Sequence, residues 1–180
     1  MMDTIRDLLL LSYVKRWVIA PLYREQSVAE HSFRVMAIVR GLKLALIAGE
    51  HTGFDLDRAL LKAMDHDLEE VHTGDTPGTA KDVKKPWSDP TTLMGWELAV
   101  KVADALETYD WWVKHGDKSW IYPHAPKKGG ENRDIRKIKH YCEGWPELLE
   151  AAKTVMVESM GYTTLELEQI FNGTGLANQE

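Results

Sequence analysis

The chain has a single cysteine, Cys142, in 180 residues, which excludes an internal disulfide framework and fits a reducing compartment. Basic charge is not in excess. Lys and Arg number 22 against 28 Asp and Glu, a net charge of -6, whereas a general nucleic-acid binder carries a basic stripe to neutralise phosphates. Long apolar runs are also missing. The nearest approach, Leu8 to Leu11, is preceded by Asp3 and Asp7 and closed by Lys15 and Arg16. It is too short to span a bilayer and has no cleavage-like site behind it, so it reads as one face of a short first helix. The expected location is therefore the cytoplasm, with no membrane and no nucleic acid polymer as partner. A small anionic substrate would need only a few local cations. No β alternation and no internal repeat is present, so one all-α domain, 1–180, is expected, large enough for a substantial core.

Helix signals place the remaining features. Ser27-Val28-Ala29-Glu30 has the form of a capping box, and a helix should run from about residue 28 to 48, with Val28, Phe33, Val35, Ile38, Val39, Leu42 and Leu46 as its apolar stripe and Gly49 as its stop. A third helix begins at Asp55-Leu56-Asp57-Arg58, carries Leu56, Leu60, Ala63 and Met64, and ends at His66-Asp67. Residues 73–90, rich in Gly, Pro, Thr and Lys, read as a loop. Asp89-Pro90 looks like an N-cap with proline at the first helical position, opening a long helix that ends near Gly116. Residues 116–131 read as an extended insertion. Helices over 132–143 and 146–160, broken by Gly144 and Gly161, and a short last helix lead to a polar tail from Asn172.

Two imidazoles and two carboxylates stand out on these helices: His31 in a first turn, His66 and Asp67 at a helix end, and Asp104 in mid-helix. Mixed nitrogen and oxygen donors with an open position are what a hydrolytic divalent metal site requires, since the ion acidifies water and polarises a phosphoryl oxygen. His31 alone would more often be a hydrogen-bonded core histidine. Asp104 lies among Val, Ala and Leu, where an unpaired carboxylate is costly, so it needs a cation. Such ligands admit Zn, Co, Mn, Fe, Ni and Mg. Glu70 follows Asp67 by three residues, which on a helical turn points both carboxylates to the same side; Asp67 and Glu70 are the expected pair that orients or deprotonates the attacking water. Glu69 would be the solvated neighbour, and His72 a supporting or surface group.

The residues around these positions carry a family resemblance. Arg16-Trp17, Ser27 to Ser32, His66 to Pro77 with Thr73-Gly74-Asp75-Thr76-Pro77, and Ala103-Asp104-Ala105-Leu106 occur in the order found in HD-domain phosphohydrolases, and the chain resembles their small deoxynucleotide 5'-nucleotidase type. That resemblance implies an HD-domain helical bundle, in which Arg16 serves the phosphate and Asp75 lies beside the deoxyribose. An arginine fork suits a phosphate on physical grounds as well. Of the loop lysines Lys81, Lys84 and Lys85, Lys81 is the expected contact to a triphosphate. If the segment after Arg16 is extended, Trp17 and Ile19 point the same way and can wall a base pocket, Trp17 by stacking and Ile19 at the purine edge, where a 2-amino group would clash.

In size and in the Arg-Trp-x-Ile arrangement the chain also resembles the compact phage dATP triphosphohydrolases of the DatZ type. That implies depletion of dATP in a virus whose DNA carries 2-aminoadenine, inside the host cytoplasm, with release of deoxyadenosine and triphosphate. It further implies additional divalent ions bridging the phosphates and a homo-oligomer, a hexamer. A deoxynucleoside 5'-monophosphate nucleotidase suits Arg16, Trp17 and Asp75 equally well. A non-catalytic nucleotide-binding regulatory module is the reading from another class, and degraded ligands, absent here, would favour it.

Overall fold

Helix α2, Val28–Ala48, is the element on which the others assemble. The computed structural model describes residues 2–17, 21–75, 87–117 and 132–172, with residues 2–4 as backbone only. Ile19, Lys81, Lys84, Lys85, Trp120, the tail beyond Asn172 and most of the 116–131 insertion lie outside the described residues.

The Ser27 hydroxyl accepts the Glu30 amide at 3.1 Å and starts α2, but the Glu30 carboxylate goes to Arg24 Nη2 at 2.6 Å instead of closing a capping box. Val28, His31, Ser32, Val35, Ile38, Val39, Leu42 and Leu46 form its buried face. Phe33, expected on that stripe, is 67% exposed, because it falls two positions from both His31 and Val35 and so off their helical face. The inward side chains pack on α3 (Leu56–Asp65), α5 (Gly95–His115) and α7 (Pro146–Met160), and α5 packs in turn on α6 (Arg133–Cys142). Each fully buried leucine such as Leu42 or Leu106 contributes about 1.5–3 kcal/mol relative to exposure.

The remaining elements are α1 (Met2–Leu10), a 3-10 turn over Leu11–Tyr13, the single turn α4 (Glu70–Thr73), a second 3-10 turn over Pro90–Thr92, and α8 (Thr164–Phe171). No strand occurs among the described residues, only isolated antiparallel bridges at Lys15 with Ser27 and Leu22 with Gly116. The all-α expectation holds. Two local expectations do not. The Leu8 to Leu11 run is not one helical face: Leu9 is 70% exposed while Leu11 is buried in the turn that follows α1. Four consecutive residues cannot share a face at 3.6 residues per turn.

The long helix also begins later than Asp89-Pro90 suggested. Asp89 Oδ1 accepts both the Thr91 amide, at 2.9 Å, and its hydroxyl, at 2.7 Å, closing a 3-10 turn; Leu93 is then extended. The α5 helix starts at Gly95, where the Glu97 carboxylate accepts the Met94 amide at 2.9 Å. As expected, it runs to Gly116.

Helix α7 ends at Gly161, whose φ of +82° is left-handed. Among the described residues nothing lies within 4 Å of a Cβ built there, so a side chain would meet no crowding from them, only backbone strain. Gly161→Ala is expected to lower the unfolding free energy by about 1 kcal/mol. Urea unfolding measures this, and an unchanged midpoint would count against the left-handed cap.

Candidate metal centre and its surroundings

The first turn of α2, the end of α3 and the middle of α5 meet at one end of the bundle, and each brings one of the residues singled out above. His31 is fully buried. Its Nε2 lies 3.2 Å from His66 Nε2, 3.6 Å from Asp67 Oδ2 and 3.3 Å from Asp104 Oδ1. His66 Nε2 is 3.3 Å from Asp67 Oδ2 and 3.9 Å from Asp104 Oδ1. Donors held at zinc-like bond lengths around one ion would be roughly 3.3 Å apart in a tetrahedron. His31, His66 and Asp67 form the tighter trio, with donor atoms all within 4.8 Å of one another, and Asp104 joins them from α5 through the two imidazoles.

Both rings are anchored from behind. His66 Nδ1 donates to the Ala63 carbonyl at 2.8 Å, and His31 Nδ1 donates to Glu107 Oε2 at 2.6 Å. With Nδ1 protonated in each ring, Nε2 is the atom offered to the centre. Burial, against the pull of Asp67, holds His66 below the ordinary histidine value. In His31, burial and Arg16 push downward, but Glu107 and Asp104 outweigh them and the value is raised. Burial would also raise the carboxyls; His66, His31 and Arg16 keep Asp67 below its ordinary value, and Lys137 with the two histidines keeps Asp104 well below it. Two ionised carboxylates and two oriented imidazole nitrogens form a donor set that fits a divalent ion.

Glu107 was not anticipated. It is fully buried and accepts from Gln26 Nε2 at 2.7 Å and Arg34 Nε at 2.8 Å besides His31, with Arg16 Nη1 at 3.6 Å. Burial would raise its carboxyl, yet His31, Arg16 and Arg34 hold it at about 2. One turn on, buried Asp110 accepts from Arg34 Nη2 at 2.9 Å and pairs with Lys114 at 2.7 Å. A signal was available: Asp104, Glu107 and Asp110 are spaced by three on a helix otherwise lined by Ala103, Leu106 and Trp111. Trp111 and Trp112 are buried within the chain, and the Arg24 and Arg34 guanidiniums lie 4.9 and 5.2 Å from the Trp111 ring.

Arg16 and Trp17 stand beside this centre because residues 14–16 run antiparallel to 26–28, with the Arg16 amide on the Gln26 carbonyl at 2.8 Å and the Val28 amide on the Val14 carbonyl at 2.9 Å. The guanidinium of Arg16 is nearly buried, and its Nε and Nη1 make no hydrogen bond among the described residues. Burial works against its charge, but Asp67, Glu107, Asp104 and Asp75 keep it firmly protonated. Trp17 is not extended. Its φ of +63° is left-handed, so the alternation expected to place Trp17 and Ile19 on one wall breaks at its first residue. Asp75 Oδ2 accepts the Trp17 amide at 2.8 Å and Gln26 Oε1 accepts the indole N–H at 3.1 Å, which together hold the strained residue. The Trp17 ring is half-buried, 6.0 Å from that of Trp112.

Glu70 opens α4 and is buried, while Glu69 is exposed, as expected of the pair. His72 lies at the surface, 3.6 Å from Asp7. Two lysines missed in the sequence adjoin the centre. Lys137, from α6, donates to Asp104 Oδ2 at 2.8 Å. Lys101, one turn before Asp104, is half-buried, and burial outweighs the attraction of Asp104 to lower its value.

Removing Glu107 would take the acceptor from the buried His31 Nδ1 and one partner each from the nearly buried Arg16 and the half-buried Arg34. Glu107→Ala is therefore expected to destabilise the metal-free protein by about 3–5 kcal/mol. Asp67→Asn, at the rim of the same centre, should change stability far less. Chemical denaturation with chelator present compares them; equal losses would contradict the assignment of Glu107 as the structural keystone.

Comparisons with known proteins identify relatives of the chain. The family profile described as 5'-deoxynucleotidase YfbR-like matches residues 4–108. A dATP triphosphohydrolase of Salmonella phage PMBT28 is 34% identical over 132 residues, spanning 63% of this chain and 68% of the relative. A dATP triphosphohydrolase of Acinetobacter phage SH-Ab 15497 is 29% identical over 203 aligned positions, 94% of this chain and 97% of that one. Among solved structures, a conserved hypothetical protein from Pyrococcus furiosus superposes with a TM-score of 0.56 at 21% identity, over 85% of this chain and 99% of its own. The cyanophage S-2L HD phosphohydrolase DatZ, bound to dA and one catalytic Zn²⁺, gives 0.50 at 20% identity, over 94% and 93%. These two likenesses establish a shared fold. With its matched profile spanning the His31, His66-Asp67 and Asp104 blocks, the chain belongs to the YfbR-like 5'-deoxynucleotidase family of HD phosphohydrolases.

Proposed function

We propose that the chain is a metal-dependent dATP triphosphohydrolase, converting dATP and water to deoxyadenosine and triphosphate. The observation that carries this is the convergence of His31, His66, Asp67 and Asp104 beside the nearly buried guanidinium of Arg16, whose Nε and Nη1 make no hydrogen bond among the described residues. The names of the two phage relatives supply the substrate. His31, His66, Asp67 and Asp104 would hold the ion, which when bound lowers the pKa of water and polarises the α-phosphoryl oxygen. Arg16 binds an α-phosphate oxygen through Nε and Nη1, which make no hydrogen bond among the described residues. Asp67 and Glu70 orient the attacking water and accept its proton. The new bond forms between the water oxygen and the α-phosphorus, the bond from that phosphorus to the 5' oxygen breaks, and the 5' oxygen leaves with a proton as the deoxyadenosine hydroxyl.

Lys101 and Lys81 would take the outer phosphates, with further divalent ions bridging them. Trp17 would stack on the base, Asp75 would meet the sugar through Oδ1, since Oδ2 holds the Trp17 amide, and Ile19 would contact the purine edge. Service to a virus with 2-aminoadenine DNA, in the host cytoplasm, is part of the same proposal; among the described residues no helix is long and apolar enough to cross a membrane. So is a homo-oligomer, a hexamer, supported by Ile5, Leu9 and Tyr13, which are 58%, 70% and 83% exposed at a four-residue spacing. Light scattering should then give a multiple of the 20.5 kDa chain mass, and a monomer would remove that part of the reading. The family description favours one second reading, hydrolysis of deoxynucleoside 5'-monophosphates to orthophosphate.

Anion-exchange analysis of products from dATP with Co²⁺ or Mn²⁺ tests the proposal. Deoxyadenosine with intact triphosphate is expected, lost in Asp67→Asn. Orthophosphate from dAMP with no reaction on dATP would leave the second reading. Glu70→Gln should lower kcat by about 10²–10⁴ with little change in KM, and Lys101→Met should raise KM for dATP more than for dAMP.

A further inference from the structure

We propose that Lys137 is a positioning residue that makes Asp104 a one-oxygen ligand and so keeps a coordination position free. This rests on the reading of His31, His66, Asp67 and Asp104 as the set that holds the ion. The two oxygens of Asp104 face different partners. Oδ1 points to the imidazoles, 3.3 Å from His31 Nε2 and 3.9 Å from His66 Nε2, whereas Oδ2 lies 2.8 Å from Lys137 Nζ. Both side chains are mostly buried, Lys137 at 18% and Asp104 at 19% exposure.

A carboxylate with both oxygens free can close on a divalent ion through the pair of them. Turning Oδ2 toward the ion here would break a charged hydrogen bond and leave an ammonium without its partner in a poorly solvated place, which is costly. The lysine is not a loosely tethered surface charge. It projects from α6, whose Ile135 and Ile138 are fully buried and whose His140 Nε2 donates to the Ser88 carbonyl at 3.0 Å, with the Trp87 ring 5.4 Å away. Helix α6 is thus fixed both to the core and to the segment leading into α5. It lies outside residues 4–108, so this control on Asp104 comes from a part of the chain that the family profile does not reach.

Visible absorption of the Co²⁺-loaded protein reads coordination number directly, because four- and five-coordinate Co²⁺ absorbs strongly and six-coordinate Co²⁺ weakly. Lys137→Met is expected to bind one Co²⁺ per chain with visible absorption reduced several-fold, while Lys137→Arg, which still donates to Oδ2, keeps the intensity of the unsubstituted protein. Full intensity in Lys137→Met overturns the proposal: a purely structural ion pair would lower the melting temperature and leave the spectrum alone. If Lys137→Met does not fold, X-ray absorption at the metal edge of the unsubstituted protein decides. No carboxyl carbon close to the metal is expected, and a two-oxygen contact overturns the proposal. An unsubstituted chain that binds no Co²⁺ at all overturns the metal reading itself, and the absence of stoichiometric binding distinguishes that result from the others.

Discussion

Glu107 is the group on which the rest of the centre depends. One fully buried carboxylate accepts from His31 on α2, Arg34 one turn later, and Gln26 in the segment before the helix, with the Arg16 guanidinium close by. Bringing that charge out of water costs several kcal/mol, and the cost is recovered only when most of its lone pairs are met. The requirement therefore fixes three things together: the face that α5 turns to α2, the rotation of the His31 ring, and the path of residues 14–17 alongside Gln26. Asp104 lies one turn before Glu107 on the same helix, so the interaction that orients His31 also brings Asp104 to it.

From that anchor the chemistry follows outward. His31 and His66 have their Nδ1 atoms occupied from behind and their Nε2 atoms 3.2 Å apart, an arrangement suited to a cation between them. Arg16 is then held in a nearly buried position by the negative charge of Asp67, Glu107, Asp104 and Asp75, yet two of its nitrogens make no hydrogen bond among the described residues. A buried guanidinium with unused donors is expensive unless a ligand completes it, and a phosphate does so well. The strain at Trp17 belongs to the same design. Its left-handed backbone is secured by Asp75 and Gln26, so the loop after the His66-Asp67 pair and the segment before α2 are tied at the point where a nucleoside would lie.

Much of this was legible in the sequence, and the limits have physical causes. His31, His66, Asp67 and Asp104 could be read because each sits at a helix start, a helix end or on an apolar helix face where an acid needs a reason. Glu107 was missed although it repeats the three-residue step from Asp104. An acid on a long helix looks solvated until its face is known. Lys137 was out of reach because it meets Asp104 across 33 residues through the packing of α6 on α5, which no local pattern encodes. Phe33 and the start of α5 failed for a different reason. Apolar identity was counted without its angular position, and Asp89-Pro90 caps a 3-10 turn as readily as an α-helix. Trp17 and Ile19 were paired on an assumption of extended backbone that the φ of Trp17 does not meet.

The central claim is that the meeting point of α2, α3 and α5 is a divalent metal site. Anomalous diffraction from crystals grown with Zn²⁺ tests it most directly. The account predicts one strong peak within bonding distance of His31 Nε2, His66 Nε2, Asp67 and Asp104, with both Nδ1 atoms still on Ala63 and Glu107. A fully loaded crystal with no peak there, or with zinc held only by surface groups such as His72 or His51, would contradict it.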